Sequence, residues 1–418
     1  MPPRILLVSP SAPWPADNGT RQRTHLLYRG LSRSGEVDFA LVSPGPVPVH
    51  DQDREVLAQR FGYLGQWQGR EIGRRPPWAG LGAIAGPRAA NLAAHALAGW
   101  HSDFWPDRQA RHWLRQRANG RAYDLVVSRY LWPAAHLGFG ANDRLLIDID
   151  DFESQRLESQ LAVEHWTAAK RRWWSRRVRQ TRRFEQRYLQ QASHAFVAKP
   201  QDAEGIVGPP VSLLPNVPFI EGDAVPEPLP AVPESRTILF IGTLEFGPNV
   251  RAMQRLIDRA WPGIRAACPG ATLRIAGGGL DAATREAWAS VPGVEPIGYV
   301  ADVAEAYRDA AFSIVPVWEG AGTKIKLAES LLWGRTVLCA RHSLAGYERH
   351  LKHGEHVWVA EDDAQMIEGG IALLNDAPRR VALAEAGRSA VLDHYTPASF
   401  YATVEATVGR LLNETDVR

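Results

Sequence analysis

The sequence predicts an α/β protein built from two Rossmann-like domains, each a parallel sheet flanked by helices. Three observations carry that prediction. The 418 residues exceed what one hydrophobic core ordinarily supports. The apolar run Thr237 to Gly242, TILFIG, echoes Arg4 to Ser9, RILLVS, as if a first strand were laid down twice. Between them, Pro215 to Pro233 holds six prolines in nineteen residues, the composition of an extended connection rather than a packed element. The expected division is a first domain over 1–215 with a helical insertion, a linker over 216–235, a second domain over 236–394 and a terminal helix over 395–418.

Composition narrows the class. Hydrophobic residues at 45% and charged residues at 22% are ordinary for a globular chain. Cys268 and Cys339 stand far apart in apolar surroundings, so neither a disulfide framework nor a metal cage is expected, and a reducing cytoplasm fits. The start MPPRILLVSPSAPWP has an apolar run too short for a signal peptide, and no stretch approaches the ~20 apolar residues of a membrane span. The net charge of +2 conceals an asymmetry, because residues 166 to 189 carry nine Lys or Arg against one Glu. No nucleic-acid motif accompanies those arginines, so nucleic acid is disfavoured as a partner.

In the first domain, strand Arg4 to Ser9, a proline-rich loop Pro10 to Thr20, a helix from about Arg21 to Arg33 and a strand Glu36 to Val42 form a βαβ opening. The loop, with Asn18-Gly19, faces the C-terminal edge of the sheet, where doubly wound folds bind phosphates and other ligands. Alanine, arginine and tryptophan between Pro76 and Arg117 suggest helices broken by prolines. Strands resume at Leu125 to Ser128 and Arg144 to Ile149. The second ends in Asp148, Asp150 and Asp151, a cluster suited to holding a metal, poising a base or capping the next helix, and capping covers at least Asp151. A helix over Trp166 to Leu189 places Trp166, Trp173, Phe184 and Tyr188 on one stripe. Arg172, Arg176, Arg179, Arg183 and Arg187 line another. That basic face is either solvated or meets anionic lipid headgroups or a lipid-diphosphate acceptor.

The second domain opens with strand Thr237 to Gly242, a loop to Asn249 and a helix Val250 to Arg259. Strand Thr272 to Ala276 runs into Gly277 to Gly279, which lacks the spacing of a dinucleotide loop. Gly298-Tyr299-Val300 follows another strand, with a core position the default for Tyr299. The stretch the rest is organised around is VPVWEGAGTKIKLAESLLWGRTV, Val315 to Val337. A strand enters a turn at Gly320 and Gly322, and a helix runs from about Thr323 to Trp333. Lys324 and Lys326 in its first turn oppose the macrodipole, which suits an anionic ligand such as a diphosphate. Glu329 lies one turn on, on the same face, where a carboxylate can accept from both hydroxyls of a ribose.

Gly322-Thr323-x-x-Lys326-x-x-Glu329, followed by Gly334-x-x-Val337, resembles the donor-binding segment of the retaining glycosyltransferases of the GT-B fold, in the group 1 or family 4-like set that includes sucrose synthase and bacterial polysaccharide and lipid glycosyltransferases. The resemblance implies two Rossmann-like domains facing across a cleft, with the terminal helix crossing back to the first. It implies transfer of a sugar, with retention, from a nucleotide-diphosphate sugar to a hydroxyl acceptor, without metal or other cofactor, in polysaccharide biosynthesis in the cytoplasm or at the inner membrane surface. It assigns the ribose to Glu329 and the diphosphate to Lys326, with Lys324, Thr323, Gly322, Gly242 and Asn249 around it and Tyr299 beside the base. Asp150 takes the place of the family's acceptor-side histidine, for orienting or deprotonating the acceptor hydroxyl. The family's further glutamate, eight residues before Glu329, is Ala321 here, with Glu319 the nearest acid. The alternatives are a nucleotide-sugar epimerase and a non-catalytic, membrane-associated scaffold that binds nucleotide sugar, the latter favoured by Ala321 and the missing histidine.

Overall fold

The computed structural model describes residues 2–43, 49–68, 106–163 and 166–414. They divide into two units, one of Met1–Leu214 with Tyr401–Arg418 and one of Pro215–Phe400. In the first unit the order is β1 (Arg4–Ser9), α1 (Gly19–Ser32), β2 (Glu36–Ser43), α2 (Asp51–Arg60), β3 (Tyr63–Gln68), α3 (Arg108–Arg117), β4 (Leu125–Arg129), α4 (Leu131–His136), β5 (Leu145–Ile149), α5 (Glu153–Val163), α6 (Ala168–Leu189), β6 (His194–Val197), α7 (Pro200–Ala203) and β7 (Val211–Leu213). The strands form one seven-stranded sheet, β3-β2-β1-β4-β5-β6-β7, and every pairing is parallel. Parallel strands covered on both faces read as unbroken apolar runs. Accordingly β4 and β5 are buried at every residue.

The second unit contains β8 (Thr237–Ile241), α8 (Gly247–Arg255), α9 (Trp261–Ala267), β9 (Thr272–Ala276), α10 (Ala282–Ala289), β10 (Val294–Gly298), α11 (Val303–Arg308), β11 (Ala310–Val315), α12 (Ile325–Leu332), β12 (Val337–Ala340), β13 (Trp358–Ala360), α13 (Asp363–Asn375) and α14 (Ala377–His394). Its sheet is β10-β9-β8-β11-β12-β13, again all parallel. Apolar side chains of β8, β9, β11 and β12 build its main core with Trp261, Trp288 and Trp358. The last helix, α15 (Pro397–Asn413), joins the first unit from Tyr401 onward. Val404 lies so close to Gly30 of α1 that a β-carbon there would stand 3.1 Å from it, and the Arg33 guanidinium covers the Tyr401 ring at 4.3 Å.

Several sequence expectations are corrected. Most of the predicted helical region between Pro76 and Arg117 lies outside the described residues. Its described end forms α3, a helix as expected, while β3, upstream of it, is an unexpected strand whose residues 63–67 are half-buried, as suits an edge strand. The helix expected from Trp166 begins instead at Ala168, where the Thr167 side chain accepts from the Lys170 amide. Its aromatic stripe divides. Phe184 and Tyr188 are buried, whereas Trp173 is 37% exposed. Trp173 and Trp174 lie under the Arg177 guanidinium at 5.6 and 5.2 Å.

The proline-rich segment is strapped to the second unit rather than merely extended. Arg335 donates to the carbonyls of Leu229 and Pro230, Arg380 to Pro233 and Arg388 to Pro226. Proline has no amide donor but a free carbonyl, so a proline-rich strand is held by outside donors, and arginine offers several in one plane.

Candidate functional site

In the second unit the chain leaves β8 for β9 on one side and returns to β11 on the other. The loops after β8 and β11 therefore diverge, opening a crevice at the C-terminal strand ends. The β11 loop ends in α12, which starts at Ile325 rather than Thr323. Lys324 is its N-cap, without a side-chain cap hydrogen bond. Contrary to the expectation of two ammonium groups in the first turn, the buried Lys324 folds its Nζ back onto the Gly322 carbonyl. Lys326 occupies the first turn.

Lys326 reaches across to the β8 loop. Its Nζ donates to Asn249 Oδ1 at 3.0 Å and lies 4.3 Å from the centre of the Phe240 ring. A β-carbon at Gly242 would stand 2.4 Å from that Nζ, so any larger residue there would displace the ammonium from its present position. Asn249, buried at the start of α8, donates through Nδ2 to the Thr243 carbonyl and is locked in the orientation that presents Oδ1 to the lysine. Burial, followed by repulsion from Lys324, pulls the Lys326 pKa down to about 7, against the opposing pull of Glu329. Among the described residues no carboxylate stands within hydrogen-bond reach of this ammonium, so an incoming anion would gain a charge-assisted interaction.

Glu329 is the second element. Burial raises its pKa, while Tyr307 and Lys326 draw it down. The Tyr307 hydroxyl donates to Glu329 Oε1 at 3.1 Å and accepts from Ser330 Oγ at 3.3 Å. Tyr307 is wholly buried on α11, and nothing in the sequence motif pointed to it. It fixes one carboxylate oxygen and the ring's rotamer.

Around this pair the β11 loop is tied down by groups the sequence reading missed. Ser343 donates to the carbonyls of Val315 and Val317, and His342 Nε2 contacts the Gly320 carbonyl at 2.7 Å. Gly320 has φ 102°, a conformation that favours glycine. Thr323 Oγ1 accepts from Asn216 at 2.7 Å. Glu319 is paired with Arg251 of α8 at 2.5 Å. Tyr299, expected in the core, is 77% exposed beside the Gly277 to Gly279 turn.

In the first unit, Asn18 caps α1, its side chain accepting from the Arg21 amide, and Gly19 is the first helical residue. Asp148 is fully buried between Arg23, at 2.5 Å, and Arg129, at 2.7 Å. Arg129 also reaches Asp150 at 3.4 Å, and Asp151 lies 3.7 Å from Lys199. Asp148 and Asp150 thus share Arg129, while Asp151 faces Lys199. Among the described residues no cluster of three or more His, Cys, Asp or Glu is arranged to hold a metal. Arg172, Arg176, Arg179, Arg183 and Arg187 are all exposed along α6.

Residues 235–376 match the family described as Glycosyl transferases group 1. Among curated proteins no relative matches the sequence. Among solved structures, the chain is similar to sucrose-phosphate synthase from Thermosynechococcus elongatus, at 15% identity and a TM-score of 0.64, covering 99% of this chain and 100% of that one. It is similar to HepE from Anabaena, crystallised with UDP and glucose, at 13% identity and a TM-score of 0.62 over 98% and 100%. It is also similar to a TarM variant from S. aureus, crystallised with fondaparinux, alpha-GlcNAc-glycerol and UDP, at 8% identity and a TM-score of 0.64 over 99% and 100%. These likenesses span the whole chain and establish the fold. Each unit has the parallel-sheet, Rossmann-like architecture seen in GT-B glycosyltransferase structures, and residues 235–376 of the second unit match the group 1 glycosyl transferase model.

Proposed function

We propose that the protein transfers a sugar, with retention of configuration, from a nucleotide-diphosphate sugar to a hydroxyl acceptor. The observation that carries this reading is the pairing on one face of α12 of a lysine held by Asn249 with a glutamate held by Tyr307, inside a group 1 glycosyl transferase domain. Lys326 and the first amides of α12 receive the diphosphate and stabilise its leaving charge electrostatically, so that no metal ion or further cofactor is required. Thr323 and Gly322 line that helix start, Lys324 adds to its positive potential, and Gly242 leaves room for the diphosphate. Glu329 accepts from the ribose hydroxyls, and Tyr299 lies beside the base. Asp150 orients or deprotonates the acceptor hydroxyl, and the Asn18-Gly19 turn contributes to the acceptor side.

The reading is tested by incubating the protein with UDP- and GDP-sugars and a bacterial lipid and glycan extract. Acceptor-dependent release of nucleoside diphosphate, undiminished by EDTA, is expected, with the product anomer matching the donor by NMR. Conversion of the donor to its epimer without acceptor, or binding without release, would replace transfer by epimerisation or by a scaffold role. Glu329→Ala should weaken nucleoside-diphosphate binding by about ten- to a hundredfold, the range for hydrogen bonds to a charged group. Tyr307→Phe should cost only about two- to tenfold. Calorimetry with circular dichroism as a fold control decides both.

No described helix is long and apolar enough to cross a membrane. The exposed arginines of α6 and the half-exposed Trp173 support a peripheral seat on an anionic membrane, at about 1 kcal/mol per basic residue, where polysaccharide precursors would be met. Replacing Arg172, Arg176, Arg179 and Arg183 by Glu should reduce sedimentation with phosphatidylglycerol vesicles at least tenfold. Unaltered sedimentation would leave the face simply solvated.

A further inference from the structure

Asn216 stands at the start of the second unit, where the proline-rich segment begins, and is 4% exposed. Its backbone carbonyl accepts from the Tyr347 hydroxyl at 3.0 Å. Tyr347 is wholly buried and packs edge-on against Tyr395, with ring centres 4.9 Å apart. That bond pins the main chain at Asn216 independently of its side chain. The side-chain amide reaches a residue 107 positions away in sequence, donating through Nδ2 to Thr323 Oγ1 at 2.7 Å. A buried amide is costly without an acceptor, and the one it has found belongs to the loop that leads into α12, next to the Lys324 N-cap.

The direction of this hydrogen bond matters. A threonine hydroxyl has one proton and two acceptor positions. Asn216 fills an acceptor position, so the proton turns elsewhere, and among the described residues Thr323 Oγ1 donates to no group. Thr323 is half-buried, which leaves that proton open to solvent or to a ligand. The path of the loop does not depend on Asn216, because Ser343 holds the carbonyls of Val315 and Val317 and His342 contacts that of Gly320. What Asn216 adds is the orientation of one donor.

We propose that Asn216 is a positioning residue for the donor site, holding the Thr323 hydroxyl so that its proton is presented to an oxygen of the diphosphate. This rests on the transfer reading above and deepens it, since it gives a residue of the proline-rich segment a part in binding the nucleotide. A hydroxyl donating to an anionic oxygen makes one of the stronger hydrogen bonds, and a donor already aimed need not be reorganised when the ligand arrives.

The test is calorimetry of the full chain with UDP and GDP, below the melting temperature that circular dichroism gives for each variant. Thr323→Val removes the proton and should weaken the nucleoside diphosphate by about ten- to a hundredfold, the range for a hydrogen bond to a charged group. Asn216→Ala removes only the amide that aims it, and a loss of about three- to tenfold is expected. The double variant should lose no more than Thr323→Val alone, because Asn216 acts through the hydroxyl. Asn216→Asp has the shape of the native residue, yet it should bind more weakly than Asn216→Ala, since its carboxylate takes the Thr323 proton for itself. A packing role would reverse that order. Wild-type affinity in Thr323→Val or in Asn216→Ala, losses that multiply in the double variant, or tighter binding by Asn216→Asp than by Asn216→Ala would each overturn the assignment and leave the donor reading standing. Wild-type protein that binds neither nucleotide would instead overturn the donor reading, and this assignment with it.

Discussion

Lys326→Ala is expected to lower turnover by roughly a hundred- to a thousandfold, the loss typical when one preorganised charge donor is removed from a leaving group. Nucleoside-diphosphate affinity should fall as well, with the fold retained, because Lys326 is anchored by a hydrogen bond to Asn249 and not by an ion pair among the described residues. The more diagnostic result is the pH dependence. With its pKa lowered to about 7, the lysine is protonated in the apo protein below that pH and largely neutral above it. A bound diphosphate favours the cation, so binding takes up a proton. Affinity should be flat below about pH 7 and fall by up to tenfold per unit above it. Calorimetry in buffers of different ionisation enthalpy reads the proton directly. Lys326→Arg should remove the slope, because a guanidinium does not titrate there. A flat wild-type profile to about pH 9 would remove Lys326 from the diphosphate. The same shift has a folding consequence of fixed sign. Between about 7 and the ordinary lysine value of 10.5 the unfolded chain binds more protons than the folded one, so the apo protein gains stability as pH rises through that window.

The fold was legible where burial acts on both faces of a strand. The runs RILLVS and TILFIG have one physical reading, a parallel strand between two helical layers, and each became the first strand of a sheet. What escaped was β3, YLGQWQ, because an edge strand with half-buried, partly polar residues lacks that signature. The start of α6 escaped for a different reason. Periodicity carried the pattern back to Trp166, but the Thr167 cap decided the boundary, and periodicity does not see caps.

The candidate site divides along a similar line. Lys326 and Glu329 share a helix face at a fixed offset, so spacing alone brings them together. Tyr307, Asn249 and Ser343 act through contacts between elements distant in sequence, which only the packed sheet creates. Lys324 shows the limit of charge reasoning, since the macrodipole argument treats every basic residue near the helix start alike. Here one ammonium turns back to its own loop and the other points to the crevice. Glu185, the one acid against nine basic residues in 166–189, is turned inward against α5, where it accepts from the Ser154 amide, an orientation that a charge count does not reveal.

Asp148→Ala is expected to destabilise the first unit by about 3–5 kcal/mol, since it leaves two buried guanidinium groups without their shared counter-charge. Arg23 and Arg129 are 1% and 0% exposed, so neither can turn to water without opening the sheet. For a unit of this size the loss corresponds to a fall in melting temperature of roughly 6–20 °C, at about 2–4 °C per kcal/mol. Burial alone would raise the Asp148 pKa, but Arg23 and Arg129 outweigh it and hold the carboxyl below its ordinary value of 3.8. Its contribution is therefore present above that value and lost as pH falls through the lower, folded-state pKa, and the variant should lack this part of the acid-unfolding profile. Melting within about 1 kcal/mol of wild type would show that the arginines find other acceptors. Activity separates structure from chemistry in the same variant. Arg129 bridges Asp148 and Asp150, so once Asp148 is gone its guanidinium is drawn fully to Asp150, the proposed acceptor base. Below the variant's melting point, acceptor-dependent turnover should fall at least tenfold while nucleoside-diphosphate affinity, which belongs to the second unit, is unchanged. A matching loss in both would mean that the network supports the fold alone and leaves the chemistry at Asp150 untouched.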